Sequence, residues 1–346
     1  MSEIIRTLIV DDSAFVRKIV RQMLSRSPYI EVVGAARDGN EALEMTEALE
    51  PDVITCDLTM PHRDGVEFVR EQMSRKPVPI LILSASPQDG EKVLEAMEAG
   101  AVDFLQKPSA LANEEILVIT ENLLEKVKAA SRISVHKAAD SSPSPEVIIP
   151  SSPRRDLKVD LVVLGISTGG PQALRKLLPS FPADFPVCIA IVIHMPLGYT
   201  QLYAEKLDEI SLLDVEEARD GMFLRPGHVI IAQAGRHLTI RRNAKGLVQT
   251  HLAMQPLDLP HRPSVDVLFQ SAAEIYKNRV LGVVMTGMGS DGKQGAAWIK
   301  SQGGSVLTEA EESCVIYGMP RSVVESGLSD GQIPLEGMAQ AIFDRI

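Results

Sequence analysis

The chain has 346 residues, of which 45% are hydrophobic and 23% charged, and this size and composition are typical of two globular domains. The net charge of -11 argues against a nucleic-acid-binding surface, because phosphate neutralisation requires clustered lysine and arginine. No apolar stretch reaches the roughly 20 residues that cross a bilayer, and the N-terminus shows no secretory signal. With three cysteines and no CxxC pair, we expect a cytoplasmic protein that is not membrane-embedded and binds no nucleic acid.

The first 130 residues alternate strand-like and helix-like segments five times, which predicts a parallel sheet with helices on both faces. The strand-like runs are 7–10, 31–34, 53–56, 79–83 and 101–105. Ligands of such sheets bind beyond the carboxyl ends of the strands. Five polar side chains lie at or just past those ends, namely Asp11, Asp12, Asp57, Ser84 and Lys107.

These side chains suit the acceptance of a phosphoryl group. Three carboxylates form a hard oxygen site for Mg²⁺, and Asp57, which alone ends the central strand, is the candidate nucleophile. Lys107 can pair with one phosphoryl oxygen and Ser84 can donate a hydrogen bond to another. Taken singly, an aspartate after a strand is as readily explained as the N-cap of the next helix. Five matching positions in one sheet favour the phosphoryl site.

The segment resembles the response-regulator receiver family over about residues 5–125. The motifs that carry the resemblance are Val10-Asp11-Asp12, Asp57-Leu58-Thr59-Met60-Pro61-His62-Arg63-Asp64-Gly65, Ser84-Ala85 and Lys107-Pro108. The resemblance implies a flavodoxin-like domain that a histidine kinase phosphorylates on Asp57. It also implies that Asp12, Asp57 and the Thr59 carbonyl hold Mg²⁺ in the acidic site that includes Asp11. Ser84 and Phe104 are the residues that, by this resemblance, transmit the effect of phosphorylation to the distal face of the domain.

Residues 131–156 differ in composition, with eleven serines or prolines among 26 positions, and are predicted to form a flexible linker. We therefore assign residues 1–130 to the first domain and residues 157–346 to the second. A flexible tether of this length spans about 28 Å, so the first domain can reach the second.

Strand–helix alternation resumes in the second domain. Its strand-like runs include 161–164, 187–193 and 280–285, and its helix-like runs are 171–178, 265–276 and 293–302. A polar section, about 212–253, has short runs such as 228–231 but no helix pattern. We predict a second doubly wound, Rossmann-like α/β sheet with an antiparallel insertion.

A serine follows the first strand of this domain. Gly165-Ile166-Ser167-Thr168-Gly169 fits the G-x-S-x-G turn that exposes a serine hydroxyl above a sheet. The amide of Thr168 and the N-terminus of the next helix would face an oxyanion formed on attack by Ser167. A nucleophilic serine also requires a base and a carboxylate that orients the base.

His194 is the candidate base because it directly follows the apolar run 187–193, on the strand expected beside that of Ser167. The other histidines are interpreted as loop or strand-face residues: His62, His136, His228, His237, His251 and His261. Asp291, in a glycine-rich loop after another apolar strand, is the candidate orienting acid, although Ser-Asp-Gly is also an ordinary turn.

The order Ser, His, Asp along the chain differs from the order Ser, Asp, His of α/β-hydrolases, so that fold is rejected. A dinucleotide site is disfavoured because the G-x-G-x-x-G spacing fails at Ser167.

Four segments of the second domain resemble the chemotaxis protein-glutamate methylesterase (CheB) family. They are Leu164 to Pro171, Ile193-His194-Met195-Pro196, Arg262-Pro263-Ser264-Val265-Asp266 and Met285 to Gly292. The resemblance implies hydrolysis of glutamate methyl esters, and deamidation of certain glutamines, on the cytoplasmic helices of methyl-accepting chemoreceptors. Ser167, His194 and Asp291 take the triad positions, Met288 lies where a backbone oxyanion donor is expected, and the esterase chemistry needs no cofactor.

Two rival functions are disfavoured. A receiver-linked binding protein with a dead second domain would be expected to lose a triad member, and none is lost here. A general small-ester hydrolase would need an enclosed apolar pocket, which a sequence with 4% aromatic residues does not indicate. We expect a monomer in which the unphosphorylated receiver covers the Ser167 cleft. Phosphorylation of Asp57, transmitted through Ser84 and Phe104, would weaken that docking and raise activity.

Overall fold

The computed structural model describes residues 4–84, 89–107, 113–133 and 158–346. The chain divides into two compact units between Ser141 and Ser142, inside the segment predicted to be a linker. Most of that segment, His136 included, lies outside the described residues, as do Ala85 and Pro108, so the domain boundaries stay a prediction. Among the described residues, no helix combines the length and apolar character required to span a bilayer.

The described part of the first unit alternates five strands with five α-helices. The strands are β1 (Ile5–Val10), β2 (Ile30–Ala36), β3 (Val53–Asp57), β4 (Ile80–Ser84) and β5 (Asp103–Gln106); the helices are α1 (Ala14–Leu24), α2 (Gly39–Leu49), α3 (Gly65–Arg75), α4 (Gly90–Glu98) and α5 (Asn113–Ala130). All strand pairs are parallel, in the order β2-β1-β3-β4-β5. This order confirms the predicted flavodoxin-like sheet, whose switch point lies between β1 and β3.

Local sequence explains where these elements begin and what they bury. Every residue of β3 and β4 is buried, as expected for central strands that helices cover on both faces. Ser13, Asp38 and Asp64 cap α1, α2 and α3 by accepting hydrogen bonds from first-turn amides. Helix α1 is thus capped by Ser13, and the alternative explanation of an aspartate after a strand as an N-cap does not apply to Asp11 or Asp12.

The second unit has nine strands and six α-helices among its described residues. The strands are β6 (Leu161–Ile166), β7 (Cys188–Ile193), β8 (Asp214–Glu217), β9 (His228–Ile231), β10 (His237–Arg242), β11 (Val248–Ala253), β12 (Val280–Val284), β13 (Ser305–Glu309) and β14 (Gln332–Ile333). The helices are α6 (Gly170–Leu177), α7 (Thr200–Ile210), α8 (Val265–Tyr276), α9 (Lys293–Ser301), α10 (Met319–Val324) and α11 (Leu335–Phe343).

Seven strands form one parallel sheet in the order β14-β13-β12-β6-β7-β9-β8. From β9 to β14 this is the strand order of a Rossmann fold, so the predicted class is confirmed. The antiparallel insertion is smaller than predicted, because β8 and β9 extend the main sheet in parallel and only β10 and β11 pair antiparallel. The switch point lies between β6 and β12.

Helix α8 connects the hairpin to the sheet. Leu238 and Ile240 of β10 share a buried cluster with Leu268 and Phe269 of α8, and the Ser271 hydroxyl accepts the Ile240 amide at 3.1 Å. Gly165 in β6 permits the start of α8 to approach closely, since a Cβ there would lie 2.3 Å from a methyl carbon of Val265. The N-terminus of α8 is thereby held at the carboxyl edge of the sheet, where the candidate catalytic residues lie.

Candidate active site and candidate phosphoryl-acceptor site

The structure brings four of the predicted receiver residues together at the ends of β1, β3 and β5. Ligand atoms of Asp11, Asp12 and Asp57 all lie within 4.8 Å of one another. Lys107 Nζ lies 2.7 Å from Asp11 Oδ2 and 2.8 Å from Asp57 Oδ2. Asp11 and Asp57 are buried, whereas Asp12 is exposed.

The charges in this pocket are unbalanced, with three carboxylates and one ammonium. Burial raises the pKa of Asp57 above its ordinary value, despite the opposing effect of Lys107. Burial also acts to lower the pKa of Lys107, but its hydrogen bonds to Asp11 and Asp57 outweigh that effect and the pKa is raised. A second cation would relieve the excess negative charge, and the all-oxygen donor set fits Mg²⁺.

The remaining predicted receiver residues lie around the pocket. The Thr59 amide donates to Asp57 Oδ1 at 3.3 Å. Ser84 ends β4 beside β3, and its hydroxyl donates to Asp89 Oδ2 at 3.3 Å. Phe104 is buried on β5, opposite Ile82 in the strand register. Ser84 and Phe104 therefore lie on the two strands that follow β3 across the sheet.

Ser167 and His194 follow register partners on neighbouring strands. Ile166 of β6 pairs with Ile193 of β7, and the His194 amide donates to the Ile166 carbonyl at 3.2 Å. Because both residues come directly after these partners, the parallel sheet places them side by side at its carboxyl edge. Ser167 is half-buried at the turn into α6.

Asp291 reaches the same edge from the loop after β12, on the other side of β6. Its Oδ2 lies 2.9 Å from His194 Nε2. The two carboxylate oxygens accept from five donors in all: His194 Nε2, Ser264 Oγ, and the amides of Val265, Asp266 and Gly292. Such a carboxylate is fixed in position and needs no solvent to satisfy it.

The environment of Asp291 determines which nitrogen of His194 can act as a base. Burial acts to raise the pKa of Asp291, but the hydrogen bonds from His194 and from backbone amides lower it to about 2. An ionised carboxylate only accepts hydrogen bonds, so Nε2 of His194 must carry the proton. Nδ1 is then the basic nitrogen; it is buried and has no hydrogen-bond partner among the described residues.

Two carbonyl contacts near Ser167 fix the directions of the amides of Thr168 and Met288. The Ser167 carbonyl accepts the Gly170 amide at 2.7 Å, and the Gly287 carbonyl accepts the Met319 amide at 2.8 Å. In a trans peptide group the carbonyl and the following N–H point in opposite directions. The amides of Thr168 and Met288 therefore point away from those two contacts.

Sequence reasoning gave no role to several residues that the structure places at this site. Ser264 and Asp266 at the start of α8 bind Asp291, and Asp266 in turn accepts the amides of Gly292 and Gly295 at 2.9 and 2.7 Å. Their motif was recognised, but no pattern within the chain indicated a contact with Asp291. The stacking of a second histidine on His194 was also missed, since His261 reads as an ordinary loop residue.

The fold and the two sites define a two-domain protein: a domain with a candidate aspartate-centred phosphoryl-acceptor site precedes an α/β domain with a candidate Ser-His-Asp site. The sequence matches the CheB methylesterase family over residues 162–342 and the response regulator receiver domain over residues 7–120. The chain belongs to the CheB methylesterase family and carries a response regulator receiver domain.

Its relatives are similar over nearly their whole length. The chain is 47% identical over 335 residues to protein-glutamate methylesterase/protein-glutamine glutaminase 5 of Myxococcus xanthus, and the match covers 96% of each chain. It is 41% identical over 351 residues to the protein of that name from Symbiobacterium thermophilum, covering 98% of this chain and 96% of that one. The crystal structure of the Thermotoga maritima CheB methylesterase catalytic domain matches with a TM-score of 0.53 and 40% identity, covering 55% of this chain and 100% of the other.

Proposed function

We propose that the second domain hydrolyses glutamate γ-methyl esters, and deamidates certain glutamines, on the cytoplasmic helices of chemoreceptors. The observation that carries this proposal is the hydrogen-bonded His194–Asp291 pair at the strand end beside Ser167, in which Nδ1 of His194 has no hydrogen-bond partner among the described residues. The names of the full-length relatives support the substrate class.

The chemistry starts with proton transfer from Ser167 to His194 Nδ1. The Ser167 Oγ attacks the ester carbonyl carbon, and Asp291 stabilises the imidazolium that results. The amides of Thr168 and Met288 donate hydrogen bonds to the oxyanion. When the tetrahedral intermediate collapses, the carbon–oxygen bond to the methoxy group breaks, and His194 returns the proton so that methanol leaves.

A water molecule completes the reaction. His194 Nδ1 removes a proton from water, the hydroxide attacks the acyl–serine ester, and collapse regenerates Ser167 and releases a glutamate carboxylic acid. With glutamine as substrate, ammonia leaves in place of methanol and the remaining steps are the same. In this proposal the steps use the side chains of Ser167, His194 and Asp291, the two backbone amides and one water molecule.

We further propose that phosphorylation of the receiver domain raises this activity. Asp57 accepts the phosphoryl group from a histidine kinase, while Lys107 pairs with one of its oxygens. Asp11, Asp12, Asp57 and the Thr59 carbonyl would hold Mg²⁺, which supplies charge neutralisation at the phosphoryl group. Ser84 and Phe104 transmit the change. We expect a monomer that acts in the cytoplasm, where the receptor helices lie.

Methanol release from a methyl-esterified receptor fragment tests the activity. Ser167→Ala should lower kcat by several orders of magnitude and leave the fold intact, because a half-buried hydroxyl is removed and no cavity forms. Ser326→Ala, at an exposed serine beyond α10, is the matched control and should behave as wild type. A Ser167→Ala enzyme with a tenth of wild-type activity would exclude Ser167 as the nucleophile.

Asp57→Asn tests the regulation. Acetyl phosphate with Mg²⁺ should raise the activity of the wild-type chain but not of the variant, because the amide cannot accept the phosphoryl group. Residues 157–346 alone should be more active than the unphosphorylated whole chain, if the receiver covers the Ser167 cleft. Equal activity of the two would show that the receiver acts by stimulation or recruitment.

A further inference from the structure

The imidazole of His194 is flanked by a second imidazole. The ring of His261 lies parallel to it, with centroids 4.1 Å apart and an angle of 16° between the planes. His194 is bonded to Asp291 through one edge nitrogen only. A single hydrogen bond at one edge leaves a ring free to rock about that bond, whereas a contact with its face opposes this motion.

The loop that presents His261 is anchored on both sides. The Gly235 amide donates to the Arg262 carbonyl at 2.9 Å. His237 Nε2 lies 2.9 Å from the Pro256 carbonyl oxygen, and His237 Nδ1 accepts the Ser264 amide at 3.2 Å. The stacked ring is therefore supported by bonds that precede and follow it in the chain.

The protonation state of His237 suits this anchoring. His237 is buried, and burial lowers its pKa, so the ring is neutral. A neutral imidazole has one donor nitrogen and one acceptor nitrogen, which matches the carbonyl of Pro256 on one side and the amide of Ser264 on the other. The anchors of the loop are thus complete without solvent.

The same loop also leads directly into the groups that hold Asp291. Ser264, three residues after His261, donates from its hydroxyl to Asp291 Oδ1 at 2.9 Å, and the Val265 amide donates to Oδ2 at 2.8 Å. One continuous segment therefore contacts both the face of the base and the carboxylate that orients it.

We propose that His261 is a positioning residue for the His194 base, an inference that rests on the proposed esterase function. Its ring, parallel to that of His194 at a centroid distance of 4.1 Å, limits rotation of the His194 imidazole about its hydrogen bond to Asp291. Its aromatic face also lies against the ring that becomes positively charged when Ser167 gives up its proton, an arrangement that favours the cation. Neither effect requires His261 to exchange a proton with substrate, so another aromatic ring should replace it.

Three variants of the full chain test this role, with methanol release from a methyl-esterified receptor fragment as the assay. His261→Ala should lower kcat about tenfold and leave KM within about twofold, since the lost contact acts in the chemical step. His261→Phe should restore kcat to within about threefold of wild type. His251→Ala, at a half-buried histidine of β11 that pairs with Asp220, is the matched control and should leave both constants unchanged.

Each other result contradicts the proposal. Unchanged kcat in His261→Ala would show that Asp291 alone positions the base, and a raised KM with normal kcat would make His261 a substrate contact. A His261→Phe variant as slow as His261→Ala would mean that imidazole chemistry, not the ring face, is needed. Circular dichroism and thermal unfolding verify that the variants remain folded.

A readout that does not depend on activity separates this inference from the function. The ring-proton resonances of His194 should shift in His261→Ala because the ring current of the stacked imidazole is removed, even if the assayed ester proves not to be the substrate. Unshifted resonances would refute the stacked arrangement. Loss of all methanol release in the wild type would instead refute the proposed function.

Discussion

Replacement of Asp291 by asparagine separates the geometric and the electrostatic contributions of this residue. The carboxylate accepts five hydrogen bonds, distributed over both oxygens. An amide of the same shape accepts on one side only. If its NH₂ group takes the place of Oδ1, the Asp266 amide loses its acceptor and the Ser264 hydroxyl must reverse, whereas the Gly292 amide keeps the Asp266 carboxylate at 2.9 Å. If it takes the place of Oδ2, the Val265 amide and His194 Nε2 face a donor.

The second orientation is favoured because it keeps the three hydrogen bonds to Oδ1, whereas the first keeps only the two to Oδ2. Each orientation leaves one amide without an acceptor, at a cost of about 1–3 kcal/mol. His194 can then accept from the new NH₂ group at Nε2, but only if its proton moves to Nδ1. That nitrogen is the one required to remove the Ser167 proton. A comparable inversion of the histidine tautomer in a serine protease lowers kcat by about 10⁴-fold.

We therefore expect Asp291→Asn to lower kcat by about 10³- to 10⁴-fold and the free energy of unfolding by about 1–3 kcal/mol. Methanol release and thermal unfolding measure the two effects. Asp184→Asn, at an exposed aspartate before β7, should change neither. Activity of Asp291→Asn within tenfold of wild type would refute the tautomer argument, because the variant would then retain a working base.

Two further substitutions test the surroundings of the triad. Gly287→Ala should lower kcat at least tenfold, because the added Cβ would lie 2.8 Å from Ser167 Cβ and 2.4 Å from Met319 Sδ. The control is Gly337→Ala in α11, where the nearest atom to the added Cβ lies at 3.5 Å. Normal activity of both variants would refute the close approach of Gly287 to Ser167. Burial raises the pKa of Asp266 to about 6, so the folded state binds this proton more tightly than the unfolded state and wild-type stability falls as pH rises from about 4 to about 6. The free energy of unfolding of Asp266→Asn, measured with urea relative to that of the wild type, should therefore increase by about 2 kcal/mol between pH 4 and pH 7, after allowance for partial exposure. A difference that does not change with pH would contradict the raised pKa.

The strands and most helices could be predicted from the sequence, because alternating apolar runs and turn residues are local signals. The predicted strand-like run 228–231 and the predicted helix-like run 265–276 have the same bounds as β9 and α8. The direction of β8 and β9 could not be read, since their connection contains no helix and only the register shows that they run parallel. The alternation of apolar and polar residues within a strand does not indicate which neighbour the strand pairs with or in which direction.

The candidate site was predictable to the extent that its residues follow strands. Ser167 and His194 directly follow β6 and β7; the G-x-S-x-G pattern after a strand indicated the first, and position after a strand indicated the second. His261 and His237 could not be recognised in this way, because a ring stacked on another ring and a ring between two loop segments depend on contacts between distant parts of the chain. The resemblance pointed to the segment Arg262–Asp266 without assigning it a contact.

The switch point between β6 and β12 has a consequence for how the enzyme is assembled. His194 and Asp291 are 97 residues apart in the chain, and they meet only after β12 has docked on the opposite side of β6 from β7. Contacts of such long sequence separation form late in folding, because loop closure must precede them. Ser167 and His194 can already be neighbours in a chain in which only β6 and β7 have paired, but such a chain lacks the carboxylate of Asp291. The proposed esterase activity therefore requires the sheet to be complete on both sides of β6.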